Sequence, residues 1–247
     1  MKNDIFTFKR VEMKYMLDSE KKDAFIEALG SNLVPDDYPE SDIMNIYYDT
    51  TDYHLARRSL ERPIYKEKLR LRTYCVPKNE TPAFLEIKKK FKGIVYKRRI
   101  TLPYEEAVSA MNNGTPLNRE GQIVREIEAL RAHYGSLSRK TVVSYHRTSY
   151  YLKDDPSFRI TFDNDIRYRN SSTDLSSGIF GKKLLSDDMS IMEIKVSGAM
   201  PLSIAHTLSS LNITKGRFSK YGSAYESENL STYPGYTTSR ALTPAFI

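Results

Sequence analysis

The stretch that decides the fold is "EKLRLRTY", at positions 67–74. In it, Leu69 and Leu71 alternate with Arg70 and Arg72, and this period of two is that of a β-strand with one apolar face and one charged face. We expect the apolar face to be buried in a core. The arginines of the charged face can then contact either bulk water or a bound anion.

Seven further segments have the residue pattern of strands, and in most of them one face is apolar and the other is charged. They are "RVEMKYML" (10–17), "NIYYDT" (45–50), "FLEIKKKF" (84–91), "IVYKRRITL" (94–102), "VVSYHRTSYYL" (142–152), "FRITFDNDIRYR" (158–169) and "IMEIKVSG" (191–198). About eight strands can close a small barrel. The sequence therefore predicts an α+β fold built on an antiparallel β-barrel of about eight strands, with helices packed outside.

Four segments between these strands have apolar residues at helical spacing: 19–29, 104–111, 122–134 and 201–211. The first is expected to have Ser19 as its N-cap and Gly30 as its C-cap. Because amphipathic helices bury their apolar stripe, we expect them to cover the apolar outer faces of the strands.

Length and composition favour one large domain. A chain of 247 residues can bury a sizeable core, and single β-rich domains of this size are common. We expect one tunnel-like domain over residues 1–226, interrupted by a Ser-, Asp- and Gly-rich loop at 170–190. Residues 227–247 are polar and contain proline and glycine, which predicts a loosely attached tail.

Charge and cysteine content narrow the class of protein. The formal net charge of +7 favours anionic partners, and nucleic acid, nucleotide and inorganic phosphate all remain open on this ground. The one cysteine, Cys75, excludes an intrachain disulfide and fits a reducing compartment. The N-terminal segment is interrupted by charges, and no run reaches about 18 apolar residues. We therefore expect a cytoplasmic chain that does not itself insert into a membrane.

The charged faces allow two interpretations. An open antiparallel sheet with one solvated face uses Lys and Arg freely. However, acids recur within the cationic rows as three E-x-K motifs, at 12–14, 86–88 and 193–195. Cations with interspersed carboxylates suit a site that holds a polyphosphate together with a divalent metal. Since helices can occupy the apolar side, we expect the charged side to line a barrel lumen, where bound phosphates would offset the repulsion between its cations.

In this order on alternating strands, the motifs resemble the catalytic tunnel domain of the vacuolar transporter chaperone (VTC) polyphosphate polymerases. These belong to the CYTH, or triphosphate tunnel metalloenzyme, superfamily. The resemblance covers nearly the whole chain. It is based on E-M-K (12–14), Y-Y-D-T (47–50), K-L-R-L-R (68–72), L-E-I-K (85–88), Y-K-R-R (96–99), H-R-T-S-Y (146–150), F-R-I-T-F-D (158–163), M-E-I-K (192–195) and R-F-S-K-Y (217–221).

One position departs from the superfamily's usual pattern. Its triphosphatases and cyclases usually begin with E-x-E-x-K, in which two glutamates bind metal and the lysine binds phosphate. This chain has Arg10, Glu12 and Lys14 in that frame. The departure is similar to the polymerase branch, which uses more basic residues and fewer metal carboxylates.

The resemblance implies a metal-dependent polyphosphate polymerase, which transfers the γ-phosphate of ATP onto a growing inorganic polyphosphate chain inside a basic tunnel. It assigns catalysis to cations of the tunnel wall, namely Arg70, Arg72, Lys88, Lys97, Arg147 and Arg159. It assigns phosphate binding to Lys14, Arg217, Ser219 and Lys220, and binding of Mn²⁺ or Mg²⁺ to Glu193. ATP and inorganic polyphosphate are the implied partners, and nucleic acid is not expected. Because this sequence shows neither an SPX domain nor a membrane segment, coupling to translocation would require a membrane-protein partner.

Several assignments stay open. Glu12 and Glu86 can either hold neighbouring lysines or bind metal, and Glu193 can instead form a salt bridge in the lumen. Asp163 and Asp165 flank a turn-like residue and are expected to be structural caps. The four histidines lack metal-ligand spacing, and there is no Gly-rich P-loop. The rival functions are a metal-dependent triphosphatase of the same fold and a non-catalytic binder of polyphosphate or RNA.

Overall fold

The computed structural model describes residues 11–61, 63–92, 94–117 and 119–229. Its helices are α1 (Ser19–Leu29), α2 (His54–Leu60), α3 (Tyr104–Asn113), α4 (Gln122–Tyr134), α5 (Leu202–Ser210) and α6 (Lys220–Asn229). Its strands are β1 (Val11–Asp18), β2 (Leu33–Asp49), β3 (Tyr65–Thr73), β4 (Pro82–Phe91), β5 (Ile94–Pro103), β6 (Ser138–Leu152), β7 (Asp155–Arg169), β8 (Lys182–Lys183), β9 (Met189–Val196) and β10 (Lys215–Gly216). Arg10 and residues 230–247 of the predicted tail lie outside the described ranges.

The strands form one sheet in the order β10-β1-β9-β7-β6-β2-β3-β4-β5, with β8 paired to β7 beside this path. The pairs β1 with β9, β2 with β3, β3 with β4, β4 with β5 and β7 with β9 are antiparallel. The predicted antiparallel sheet with helices is thus confirmed. The path starts at β10 and ends at β5, and within the described ranges no ladder joins these two strands. Closure of the sheet into a barrel therefore stays a prediction.

The chain divides into two compact units, and the first contains Ile43–Ser144 and Tyr168–Gly181. Its core lies between the apolar face of the β3–β5 meander and two helices. Leu69, Leu71, Leu85 and Ile87 of the strands pack with Ala107 and Met111 of α3 and with Val124, Ile127 and Leu130 of α4. The expectation that helices cover the apolar strand faces is confirmed here, because these faces bury their leucines against α3 and α4.

The second unit contains residues 11–42, Tyr145–Arg167 and 182–229. Here the apolar face comes from β1, β7 and β9, and it is covered by α1 and α5. The core residues are Tyr15, Leu17, Phe158, Ile160, Phe162, Met192 and Ile194 of the strands, with Phe25, Leu29, Ile204 and Leu208 of the helices. Both units draw on distant parts of the chain, and the prediction that residues 1–226 form one domain stays a prediction.

One predicted cap of α1 is wrong and the other is confirmed. The N-cap of α1 is Asp18 rather than Ser19, because the Asp18 carboxylate accepts a hydrogen bond from the backbone N–H of Lys21 at 2.7 Å. Gly30 is confirmed as its C-cap. The described residues form ten strands where about eight were expected, since β8 and β10 have only two residues each and are too short to show a periodicity. Helix α6 continues to Asn229 and so includes the first residues of the predicted tail.

None of the helices in the described ranges is long and apolar enough to cross a membrane.

Candidate functional site

In the first unit, the charged face of β3, β4 and β5 is organised around Glu86. This residue lies in the middle of β4, directly opposite Arg70 of β3 and Arg99 of β5. Directly opposite residues of an antiparallel pair lie on the same face of the sheet. The alternation in "EKLRLRTY" therefore places Arg70 and Arg72 on the face that carries the Glu86 carboxylate.

Glu86 is fully buried and binds three cations, a set that we call the Glu86 cluster: Glu86, Arg70, Arg72 and Lys97. Its Oε2 accepts from Arg70 Nε at 2.8 Å, and the Nε of Arg72 is 3.9 Å from the same oxygen. Its Oε1 is 2.6 Å from the Nζ of Lys97. Three cations around one carboxylate leave a formal charge of +2.

Two neutral groups orient the arginines of this cluster. Arg72 Nε donates to Asn45 Oδ1 at 2.9 Å, and Asn45 Nδ2 in turn donates to the backbone carbonyl of Val143 at 3.0 Å. Arg70 Nη1 donates to the hydroxyl of Tyr47 at 3.2 Å. A guanidinium held at several atoms loses little freedom when it binds an anion, so these contacts preorganise the cluster.

The protonation states follow from burial and charge. Burial alone raises the pKa of Glu86, but Arg70, Arg72 and Lys97 outweigh this effect, and the pKa lies far below its ordinary value of 4.5. Burial also lowers the pKa of Lys97, and because Arg72 and Arg70 add to this effect while Glu86 opposes it, the pKa falls to about 7. The Lys97 side chain keeps 39% of its exposure, so water moderates this fall.

In the second unit, two of the E-x-K motifs pair with each other. Strands β1 and β9 run antiparallel with Lys14 opposite Glu193 and Glu12 opposite Lys195. Each glutamate thus faces a lysine of the other motif. The pattern E-x-K is complementary to itself when two copies run in opposite directions, and this explains why the motif occurs on both strands.

Around this pair lies a larger group that we call the Glu193 cluster: Glu12, Lys14, Arg147, Asp163, Glu193, Lys195 and Lys220. Glu193 has Lys14 Nζ and Lys195 Nζ at 3.2 Å, and Arg147 Nη2 and Lys220 Nζ at 3.5 Å. Glu12 is 3.6 Å from Lys14. Four cations and three carboxylates leave a formal charge of +1.

Asp163 is the second buried carboxylate of this cluster, and it holds Arg147 in a bidentate pair. Lys220 Nζ donates to Asp163 Oδ2 at 2.5 Å. The aromatic face of Tyr145 adds to this arrangement, because the Lys220 ammonium lies 4.5 Å and the Arg147 guanidinium 5.3 Å from its ring centroid. These contacts connect strands β6 and β7 with the first residue of α6.

The charges of the Glu193 cluster stabilise one another. Burial raises the pKa of Glu193, but Lys14, Lys220 and Lys195 outweigh it, so the pKa lies well below 4.5. In the same way, burial raises the pKa of Asp163, whereas Arg147 and Lys220 lower it further than burial raises it. Burial lowers the pKa of Lys14, but Glu193 and Glu12 bring it above its ordinary value. Glu193, Asp163 and Lys14 are therefore charged at neutral pH.

The charged strand faces thus have counter-ions within the protein itself. We expected the cations to need bound phosphate to offset their repulsion. Instead, Glu86, Glu193 and Asp163 supply most of the opposite charge. The remaining excess is positive in both clusters, which is what binding of an anion requires.

The other predicted site residues are not members of the two clusters. Lys88 lies on β4 two positions from Glu86 and opposite Lys97. Arg159 lies opposite Lys195 but forms its ion pair with Asp36. Arg217 is exposed before α6, and the hydroxyl of Ser219 accepts from the backbone N–H of Gly222, at the start of that helix. The structure therefore brings together Arg70, Arg72 and Lys97 in one unit, and Lys14, Arg147, Lys220 and Glu193 in the other.

The prediction for Asp163 as a structural cap is wrong. Asp163 lies inside β7 and is fully buried with two cations. The alternation that places Arg159 and Asp163 on one strand face was the signal that could have found this role. Asp165 has a positive φ of 44° and pairs with Arg167 at the surface.

The residues around Glu193 do not by themselves fit a divalent metal. Its carboxylate is already shared by four cations within 3.5 Å. Mn²⁺ and Mg²⁺ need several oxygen ligands. Within the part of the chain that the structure describes, no three His, Cys, Asp or Glu side chains are grouped to hold such an ion.

The comparison with known families decides the classification. The family model of the VTC domain matches residues 9–229, which contain both clusters. The chain belongs to the VTC domain family. No curated protein matches the chain.

The chain was also compared in fold with solved structures. A proposed adenylate cyclase from Bacillus halodurans is 14% identical, with a TM-score of 0.54 over 85% of this chain and 95% of that one. A proposed adenylyl cyclase from Hippeastrum, whose structure is described as revealing a dominant triphosphatase activity, is 14% identical, with a TM-score of 0.47 over 86% of this chain and 93% of that one. At this level of identity the likeness to the first shows the fold alone.

Proposed function

We propose that this VTC domain is a polyphosphate polymerase that transfers the γ-phosphoryl group of ATP to the end of an inorganic polyphosphate chain. The observation that carries the proposal is the pair of carboxylate-anchored cation clusters, since seven of the eleven residues that the family resemblance assigns to the reaction lie in them. Membership in the VTC domain family supports the same substrate class.

The clusters suit the chemistry of phosphoryl transfer. This reaction needs little covalent chemistry from a protein, and it depends on alignment of the phosphates and on neutralisation of charge on the transferred group. Buried guanidinium groups provide fixed donors that match the oxygens of a phosphate. Arg70 and Arg72 are already fixed by Glu86, as Arg147 is by Asp163, so little reorganisation accompanies binding.

The proposed roles of the site residues are those that the family resemblance implies. Arg70, Arg72, Lys97 and Arg147 would contact the transferred phosphates, with Lys88 and Arg159 as neighbouring cations. Lys14 and Lys220 would hold the polyphosphate, together with Arg217 and Ser219 beside α6. The lumen of a closed tunnel, in which the resemblance places these groups, is part of the proposal.

The proposal includes Mn²⁺ or Mg²⁺, with Glu193 as the one carboxylate ligand. Since the described residues do not complete a metal site, the other ligands would be phosphate oxygens and water. The proposed partners are ATP and inorganic polyphosphate, without nucleic acid. Cytoplasmic location and a membrane-protein partner for translocation also remain proposals.

The test is to incubate the purified protein with γ-labelled ATP and Mn²⁺ and to separate the products by chain length. A ladder of labelled polyphosphate that grows with time is the expected result. Arg72→Ala should lower kcat/KM by about 10²-fold, because it removes a fixed donor to the transferred phosphate. Arg119→Ala is the matched control, since Arg119 is exposed and pairs with Glu106 outside both clusters.

Two outcomes would contradict the polymerase. Release of orthophosphate from ATP or triphosphate without longer chains would identify the triphosphatase instead. Tight binding of polyphosphate with no turnover under either metal would identify a non-catalytic binder. Circular dichroism of both variants would show whether a loss of activity reflects unfolding.

A further inference from the structure

The first unit has an apolar surface with a rim of lysines at one end of its β3–β5 meander. Three large apolar side chains are exposed there: Ile64 at 68%, Phe91 at 44% and Tyr65 at 42%. Tyr65 and Phe91 are cross-strand partners, and the carbonyl of Ile64 accepts a hydrogen bond from the N–H of Lys92. The side chains of Tyr65 and Phe91 therefore lie together on one strand face at the end where β3 begins and β4 ends, and Ile64 directly precedes Tyr65 in the chain. We call this surface the lysine-rimmed tip: Ile64, Tyr65, Phe91, Lys66, Lys90 and Lys92.

The rim of the tip is cationic. Lys66 and Lys90 are cross-strand partners on the strand face opposite to that of Tyr65 and Phe91, and the Lys92 ammonium lies 5.5 Å from the centroid of the Phe91 ring. Lys90 and Lys92 are exposed, and neither forms an ion pair with a residue that the structure describes. Positive charge at this end of the meander is thus available to an external anion.

Three acids that are close in sequence to residues of the tip, or that pair with a neighbour of one, are already engaged, and one of them, Glu61, pairs with Arg58 at 3.1 Å. Glu67 is buried, and its two carboxylate oxygens accept from the hydroxyls of Tyr65 and Tyr134 at 2.7 and 2.8 Å. Glu126 pairs with Lys89 and Arg98, each at 3.4 Å. Because these carboxylates have partners, they do not cancel the charge of Lys90 and Lys92.

We propose that the lysine-rimmed tip binds the surface of an anionic lipid bilayer, with Phe91, Tyr65 and Ile64 in the interfacial layer and the lysines at the headgroups. Exposed apolar side chains gain free energy when they leave water, and basic residues at an anionic membrane add electrostatic attraction. This peripheral contact differs from insertion of the chain, and it goes beyond the proposed polymerase activity.

Protection of a strand edge and stacking on RNA each fit only part of the lysine-rimmed tip. Lysines on an edge strand such as β5, or near one, discourage unwanted strand pairing. That role does not require Ile64 and Phe91 to be exposed. Single-stranded RNA would use Tyr65 and Phe91 for stacking, but the most exposed apolar side chain is the aliphatic Ile64, which cannot stack on a base.

The chain contains no tryptophan, and this permits a direct test. Phe91→Trp introduces a single indole at the tip. Its fluorescence should shift to shorter wavelength with vesicles rich in phosphatidylserine and stay unchanged with vesicles of phosphatidylcholine alone. Tyr38→Trp is the matched control, because Tyr38 is 80% exposed on β2 in the second unit, and its indole should not shift with either vesicle.

Cosedimentation with the same vesicles separates the contribution of the apolar side chains to binding from that of the lysines. Ile64→Ser combined with Phe91→Ser should abolish binding of the protein, whereas Leu202→Ser, which changes a side chain that is 76% exposed on α5, should leave it unchanged. Lys90→Ala and Lys92→Ala should each weaken binding about fivefold at low salt, and added salt should weaken binding of the wild type. Since all these side chains are exposed, urea midpoints should stay the same.

The proposal is overturned if the wild type stays in the supernatant with phosphatidylserine vesicles, or if the Ile64→Ser, Phe91→Ser protein binds them as well as the wild type does. Equal fluorescence shifts with both vesicle types would exclude recognition of the anionic surface. Retention of single-stranded RNA that depends on Phe91, or self-association that depends on Phe91, would assign the tip to another partner if vesicles are not bound.

Discussion

Arg147 and Asp163 form a bidentate ion pair in which Nε and Nη2 of the guanidinium donate to Oδ1 and Oδ2 at 2.5 and 2.7 Å. Asp163 is fully buried, the Arg147 side chain keeps only 13% of its exposure, and Lys220 donates to the same carboxylate. The pair thus fixes an arginine assigned to phosphoryl transfer, and also a lysine assigned to phosphate binding. Asp163 is therefore a positioning residue of the proposed site.

Replacement of Asp163 should strongly destabilise the fold. Asp163→Ala leaves Arg147 and Lys220 buried without their main counter-ion, and loss of one partner of a buried pair typically costs about 3–5 kcal/mol. We expect the free energy of unfolding, measured by urea denaturation, to fall by about that amount.

The matched control for this prediction is Asp187→Ala. Asp187 also pairs with a lysine, Lys183, but its side chain is 78% exposed. Exposed pairs contribute about 0–1 kcal/mol, so this variant should unfold near the wild-type urea concentration. Equal losses for both variants would contradict the assignment of Asp163 as a buried anchor.

The charged and apolar faces of the strands could be predicted from the sequence because they depend only on a period of two. Arg70, Arg72 and Glu86 were assigned to charged faces on this basis, and they do lie together. The partners of each charge could not be predicted in this way, because they depend on strand order and register. Nothing local shows that Lys14 lies opposite Glu193, or that Lys220 reaches Asp163 from 57 positions away.

Local sequence patterns also fail to predict a short helix and the tertiary role of an aspartate. Helix α2 has only seven residues, too few for its apolar spacing to stand out. The frequency of aspartate in turns predicts a cap at Asp163, yet its burial with two cations is a tertiary effect. Closure of the barrel and the roles of all the assigned site residues stay predictions, since they depend on more than the strand pairing described.

Acid should destabilise the protein through Glu86. Its pKa is lower in the folded chain than its ordinary value of 4.5, so the stabilisation is complete above 4.5 and is lost as pH falls toward the folded value. We expect the free energy of unfolding to decrease steadily as pH drops below 4.5, as measured by urea denaturation at a series of pH values.

Glu86→Gln should make this pH dependence shallower, because the glutamine side chain does not take up a proton in this pH range. The exposed carboxylate of Glu120 provides the control, and Glu120→Gln should leave the slope of stability against pH as it is in the wild type. An unchanged slope in Glu86→Gln would show that other carboxylates account for the acid sensitivity.

Triphosphate binding should be accompanied by proton uptake at Lys97. Burial, with Arg72 and Arg70, lowers the pKa of Lys97 to about 7, from an ordinary value of 10.5. A bound polyanion would raise it again. Between about pH 7 and pH 10.5, calorimetric titration with triphosphate in buffers of different ionisation enthalpy should therefore detect protons taken up by the complex.

Lys97→Arg is the test of this assignment, because arginine stays charged throughout this range. The variant should take up fewer protons than the wild type, while proton release or uptake by triphosphate itself is the same in both. Affinity of the wild type relative to Lys97→Arg should also fall as pH rises above 7. Identical proton uptake in the two proteins would exclude Lys97 as the group that titrates.

Mn²⁺ should bind tightly only when triphosphate is present. Four cations share the Glu193 carboxylate, so a metal ion alone meets repulsion and too few oxygen ligands, whereas bound phosphates would supply both charge and ligands. Because a ligand that binds the folded state raises Tm more when it binds more tightly, Mn²⁺ alone should shift Tm little. With triphosphate, the joint shift should exceed the sum of the separate ones, and Glu193→Gln should remove this excess. A large shift with Mn²⁺ alone would instead indicate a preformed metal site.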